Sequence, residues 1–285
     1  MKRIDDHMHV SLEPSGHRIN GQFLASAEEM IPVMERYHTE RAILMSSGET
    51  GCLMSNGELR EICRRYPEHF SYMAVFDLDN PQGLEERMAA EKEAGAVGTG
   101  EFTEGRPFDD ERIFRFLEIA QTLRLPLLFH MSPELGVYYG VYDAEGLPLL
   151  EKVLKSFPNL PVIAHSQPFW YEMTPVSSAT PAERNQYPQG KIRQEGRVQA
   201  LLRAYPNLYG DLSANSGGNA IMRDGSYGPR FLEEFSDRLL YGTDLYCTSQ
   251  QFPLGDYLDR LLAEGRLAPV AYERIVRGNA LRLLF

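Results

Sequence analysis

Lys2-Arg3-Ile4-Asp5-Asp6-His7-Met8-His9-Val10 is a short strand-like run that carries two histidines two residues apart. Alternate side chains of a strand share a face, so His7 and His9 point the same way. Two imidazoles on one face begin a metal site. Three later apolar runs also end in a ligand-type residue. They are Pro126-Leu127-Leu128-Phe129-His130, Pro161-Val162-Ile163-Ala164-His165 and Leu239-Leu240-Tyr241-Gly242-Thr243-Asp244.

Outward from these runs the chain alternates strand and helix. The pattern predicts strands over 3–9, 41–46, 70–76, 96–102, 126–130, 161–165, 208–213 and 238–243. Helices are predicted over 26–38, 56–65, 81–93, from 109 onward, and over 147–156, 192–204 and 229–235, with 257–262 and 271–276 closing the chain. Pro81 suits a first helical turn and Gly95 a C-terminal stop. Ile113, Phe116, Leu117 and Ala120 fall at helical spacing. Eight such units imply parallel strands with helical crossovers. The predicted fold is therefore α/β, a (β/α)8 TIM barrel, as one domain over residues 1–285. An open doubly wound sheet is the alternative, but no Gly-x-Gly-x-x-Gly follows the first strand. In the barrel reading His9, Glu101, His130, His165 and Asp244 all stand at strand ends. That is the rim where such barrels carry their active sites.

Composition narrows the classes. The net charge of −11 disfavours non-specific nucleic-acid binding, which depends on neutralising phosphates. No apolar run is long enough to span a bilayer, and no signal-peptide pattern precedes His7. Cys52, Cys63 and Cys247 are widely spaced, which reads as reduced thiols in a cytoplasmic protein. The expected partner is a small-molecule substrate, with no nucleic acid and no membrane; a homo-oligomer is allowed.

Taken in this order, the motifs resemble the amidohydrolase superfamily. The resemblance is to the amidohydrolase-related branch that includes the aminocarboxymuconate-semialdehyde decarboxylases. It runs from His7-Met8-His9 through His130 and His165 to Gly242-Thr243-Asp244, and the closing Gly278-Asn279-Ala280-Leu281-Arg282-Leu283-Leu284 also fits. The resemblance implies a divalent metal held by His7, His9 and Asp244. His130 would be a further ligand, and His165 a ligand or a catalytic residue. Binuclear members often bridge their ions with a carboxylated lysine on strand four. Here that strand, Gly95-Ala96-Val97-Gly98-Thr99-Gly100-Glu101-Phe102, has no lysine. Glu101 stands where a bridging carboxylate could be, as in the deoxyribonuclease-like hydrolases of the superfamily. Mononuclear decarboxylase-like members do not need it, so one ion or two remains open.

Imidazoles and carboxylates suit zinc first, with manganese as the alternative. Such an ion lowers the pKa of bound water towards about 7, and attack on a carbonyl then needs a base. Asp244 is the expected base, and His165 the group that polarises the substrate oxygen or protonates the leaving atom. The expectation is hydrolysis of a small amide, lactone or ester. The alternative is non-oxidative decarboxylation of a small carboxylic acid on the same scaffold. Each residue also has a plainer reading. His130 or His165 alone would be a core histidine, Asp244 could cap a helix, and Glu101 could pair with an arginine.

The loops should choose the substrate. Ser166 to Gly190 is 25 residues long and includes Trp170, Tyr171 and Tyr187, while Met131 to Gly146 adds Tyr138, Tyr139 and Tyr142. Trp170 and Tyr171 are the expected aromatic walls; packing of the loop on itself is the other reading. Arg223 is the candidate clamp for a substrate carboxylate, with an ordinary surface salt bridge as the other reading.

Overall fold

Eight parallel strands lie side by side in chain order: β1 (Arg3–Met8), β2 (Thr39–Met45), β3 (Phe70–Ala74), β4 (Ala96–Phe102), β5 (Leu127–Ser132), β6 (Val162–His165), β7 (Leu208–Asp211) and β8 (Leu239–Leu240). The structure, a computed structural model, describes residues 1–285. The last strand returns to the first through backbone bonds. The Asp6 amide donates to the Tyr241 carbonyl at 3.0 Å, and the Asp244 amide to the His7 carbonyl at 2.8 Å. Helices occupy the crossovers, so the fold is the expected (β/α)8 barrel.

Strand alternation builds two cores from one sheet. Leu127 and Phe129 of β5 face outward into the large core under the helices, and Leu128 faces inward. In β6, Val162 and Ala164 face outward and Ile163 inward. The inward set is Ile4, Ile43, Met45, Met73, Leu128, Ile163 and Leu240, plugged from below by Ala280 and Leu284 of the last helix, Asn279–Leu284. Each such fully buried aliphatic side chain contributes roughly 1.5–3 kcal/mol. Two residues further along the same faces stand His130 and His165.

The first strand departs from strict alternation. Ile4 lies in the inner core and Met8, four residues on, in the outer one. An even spacing should have kept them on one face. The register shifts between Asp5 and Met8, a bulge that swaps the faces. It lets Ile4 fill the barrel floor while His7 and His9 still turn together to the mouth.

Some elements differ from the sequence reading. Pro81 lies outside its helix, which spans Leu84–Glu93 behind a left-handed Gly83. The 166–190 segment holds two short helices, Gln167–Tyr171 and Pro181–Arg184. A buried Arg184–Glu172 ion pair at 3.0 Å ties it down. An unexpected helix, Ala214–Met222, follows β7. Its Gly217 and Gly218 argue against helix by propensity. Packing overrides this, because a Cβ at Gly217 would come within 2.6 Å of the Leu212 backbone.

Candidate active site

At the barrel mouth the strand ends converge. His7 Nε2 and His9 Nε2 are 3.2 Å apart, and Asp244 Oδ1 lies 3.2 Å from His9 Nε2 and 3.7 Å from His7 Nε2. Glu101 Oε2 approaches the same two nitrogens at 4.0 Å and 3.9 Å, while Glu101 Oε1 meets His130 Nδ1 at 2.8 Å. Two ligand triads result, His7–His9–Asp244 and His7–Glu101–His165, each with donor atoms within 4.8 Å of one another. They share His7.

Backbone geometry presents these groups. Asp244 has φ 58° and Ser166, just after His165, has φ 94°. Non-glycine residues rarely adopt such values, and they cluster where the surrounding structure holds a functional geometry. Asp5 fixes the rear of the site. Its carboxylate accepts from the amides of His7 and Thr243 and from the Thr243 hydroxyl. Gly242 leaves space for two buried carboxylates, since a Cβ there would sit 2.2 Å from Asp6 Oδ1 and 2.8 Å from Asp211 Oδ1.

The electrostatics follow from burial opposed by partners. Burial pushes Asp5 up to about 7 despite the Thr243 and His7 donors. Burial, then the charges of Asp211 and Asp5, raises Asp6 well above the usual range. For His165, burial disfavours the charged ring, but the hydrogen bond and charge of Asp211 outweigh it and raise the ring to about 9. In Glu101 burial is likewise outweighed, here by the His130 hydrogen bond and charge, and its carboxyl falls far below the usual range. Asp244 is lowered too, burial being outweighed by the His9 hydrogen bond and the neighbouring rings. Burial lowers His130 against the pull of Glu101.

The donor set fits a divalent cation. His7 Nδ1 is engaged by Asp211 Oδ2 at 2.8 Å, so the lone pair of His7 belongs to Nε2. That nitrogen meets no hydrogen donor of the protein except through the neighbouring His9 ring, and carboxylate oxygens surround the pair. A shared cation resolves such crowding of lone pairs, and mixed imidazole and carboxylate ligands suit zinc and manganese alike.

A cleft of about 260 Å³ opens above His9, Glu101 and Asp244. Ser46, Ser47, Asn20, Met54, Tyr139 and Tyr246 line it, and no lysine or arginine does. The Tyr139 ring lies 4.0 Å from that of His130, centroid to centroid. Sequence reasoning named Tyr139 only as one of a group. It passed over Ser46 and Ser47, whose place at the end of β2 was the available signal.

The three expected substrate-binding residues lie elsewhere. Trp170 is fully buried, with Nε1 donating to the Asp211 carbonyl at 3.0 Å and its ring packed on Phe169 and Phe231. It is part of the core and not a wall of the mouth. An indole is large and apolar, and its single donor found a backbone acceptor inside. Tyr171 and Arg223 line a separate cleft of about 230 Å³ with Tyr187 and Gln189. Arg223 donates there to the Gln189 carbonyl at 2.8 Å. Cys52, Cys63 and Cys247 are all free thiols. No helix is long and apolar enough to cross a membrane.

A family model described as amidohydrolase matches residues 7–285. No curated protein matches the chain. Among solved structures, 2,6-dihydroxybenzoate decarboxylase from Rhizobium is similar, with TM-score 0.63, 17% identity, and 99% of this chain and 98% of that one covered. A dihydroxybenzoic acid decarboxylase from Polaromonas, with bound manganese, gives TM-score 0.62 and 17% identity over 99% and 96% of the two chains. A probable 2-pyrone-4,6-dicarboxylic acid hydrolase from Acinetobacter baumannii gives 0.60 and 14% over 100% and 99%. At such identities the likeness concerns the fold.

Proposed function

The chain belongs to the amidohydrolase family, and from that premise we propose that it is a metal-dependent, non-oxidative decarboxylase of a small carboxylic acid. One observation carries the reading. The only charged groups of the mouth cleft are those of the ligand cluster, and the other lining side chains named above are neutral. A substrate carboxylate therefore finds no guanidinium or ammonium to serve as a remote handle. Its favourable place is at the cation, so the carboxylate is itself the reacting group. The two decarboxylase structures of the same fold support this. A dicarboxylate, the kind of substrate named for the hydrolase relative, would leave its second charge unpaired in this cleft, which is costly.

The bound ion would be zinc or manganese, held by His7, His9 and Asp244 with Glu101, His130 and His165 available beside them, and it would supply positive charge at the reacting carboxylate. Tyr139 and Tyr246 flank the substrate. Loss of CO₂ breaks the carbon–carboxyl bond and leaves the electron pair on carbon, which must take up a proton. Asp244 lines the cleft and is the group placed to carry that proton from solvent to the carbon.

Hydrolysis is the second reading. Glu101 favours it, because its approach to His7 and His165 offers a second triad and thus room for two ions. Labelled water separates the two. With the metal restored and a panel of hydroxylated aromatic acids, lactones and acyl amides, decarboxylation releases CO₂ and places a solvent hydron on carbon. Label from ¹⁸O water in a product acid, without CO₂, would overturn the decarboxylase reading in favour of hydrolysis.

A further inference from the structure

We propose that Asp211 is the positioning residue of the metal centre, one buried carboxylate oxygen that orients two ligand imidazoles at once. Asp211 Oδ2 accepts from Nδ1 of His7 and Nδ1 of His165, each at 2.8 Å. The same oxygen accepts from the Ser213 hydroxyl at 2.6 Å, and Oδ1 accepts from the Ser213 amide at 2.6 Å. Asp211 is completely buried, so water does not compete for these bonds.

The consequence is chemical. An imidazole that donates from Nδ1 carries its lone pair on Nε2, the only nitrogen then left for an ion. One carboxylate thus sets the tautomer of two rings that belong to the same triad. Its negative charge also makes both rings better donors to a cation. Asp211 in turn is held from behind. Trp170 Nε1 donates to its backbone carbonyl at 3.0 Å, and the indole is wedged among Phe169 and Phe231. The chain's single tryptophan therefore fixes the end of β7 beneath the centre, which accounts for a residue that the substrate pocket does not use.

The proposal rests on the reading that the cluster holds a metal, and the test separates the two. Zn²⁺ and Mn²⁺ are titrated against a competing chelator at fixed pH into wild type, Asp211→Asn and Asp211→Glu, with folding of the ion-free proteins checked by circular dichroism. Asparagine keeps the shape but loses the charge and turns one acceptor into a donor facing an N–H. Metal affinity of Asp211→Asn should fall on the order of 10- to 100-fold, and Asp211→Glu should recover part of it. A folded Asp211→Asn that binds as tightly as wild type overturns the positioning role and leaves the metal reading standing. A wild-type protein that binds neither ion overturns both. Should Asp211→Asn fail to fold, ¹⁵N-resolved imidazole spectra of the zinc-loaded wild type decide. A proton on Nδ1 of both His7 and His165 supports the proposal, and a ring of either residue that lacks the Nδ1 proton overturns it.

Discussion

The lower and upper halves of the barrel interior are built from the same strands and obey opposite rules. Leu128 and His130, or Ile163 and His165, are two residues apart on one face of one strand. Below, Ile4, Met45, Met73, Leu128, Ile163 and Leu240 pack into a dry floor closed by the last helix. Above, Asp5, Asp6, His7, His165 and Asp211 are as deeply buried as those aliphatics, yet they are ionisable. Burying apolar surface stabilises the fold; burying charge costs free energy unless each group is paired. The floor thus supplies rigidity, and the mouth uses it to keep acids and imidazoles in one another's reach.

The sharpest attempt to break this division is at Asp244. Asp244→Asn keeps the shape and a ligand oxygen but removes the group that carries the proton. The turnover rate should fall on the order of 10²–10⁴-fold while metal remains bound and the melting temperature barely moves. Near-wild-type turnover would remove Asp244 from the chemistry. The opposite end should behave in the opposite way. Leu128→Ala, in the apolar layer below the ligand cluster, should lower unfolding free energy by about 2–5 kcal/mol in a denaturant titration while metal affinity is retained. A large loss of metal affinity with unchanged stability would erase the distinction between the two halves.

A third test uses pH. His165 in the metal-free protein is raised to about 9 from an ordinary 6.5. A raised cationic group contributes stability that is complete below about 6.5 and is lost as pH rises through 9. The ion-free protein should therefore lose thermal stability across that window. The loaded protein should lose less, because a bound cation replaces the proton. Identical profiles with and without zinc would place His165 outside the centre. The smallest effect is expected at the rim. Tyr139 is largely exposed, and its ring rests on His130. Tyr139→Ala should raise KM several-fold, about the worth of one aromatic contact of 0.5–1.5 kcal/mol, with kcat little changed. A fall in kcat at constant KM would move Tyr139 into the reacting step.

Much of the barrel was legible along the chain, because alternation is a local signal. The short apolar runs that close on His130 and His165, set between helical patterns, mark β5 and β6 from the residues alone. The bulge in β1 was not legible, since it is a shift of pairing register against β2, a strand more than thirty residues away in the chain. The helix Ala214–Met222 was hidden by its glycines, which serve contacts with Leu212 and Phe252 and not local propensity.

The same division holds for the site. The residue types at the strand ends, and hence the gathering of His7, His9, Glu101, His130, His165 and Asp244 at one mouth, are determined by the sequence once the strands are parallel and in order. Strand direction and period leave those side chains no other rim. Tertiary structure alone decided that Trp170 lies inside and Arg223 in a neighbouring cleft. It alone put Asp211 beneath two histidines 204 and 46 residues away in the chain. Those outcomes depend on how long loops fold back over eight strands. The burial of an indole or the aim of a guanidinium is then settled by the neighbours it meets, which no local pattern encodes.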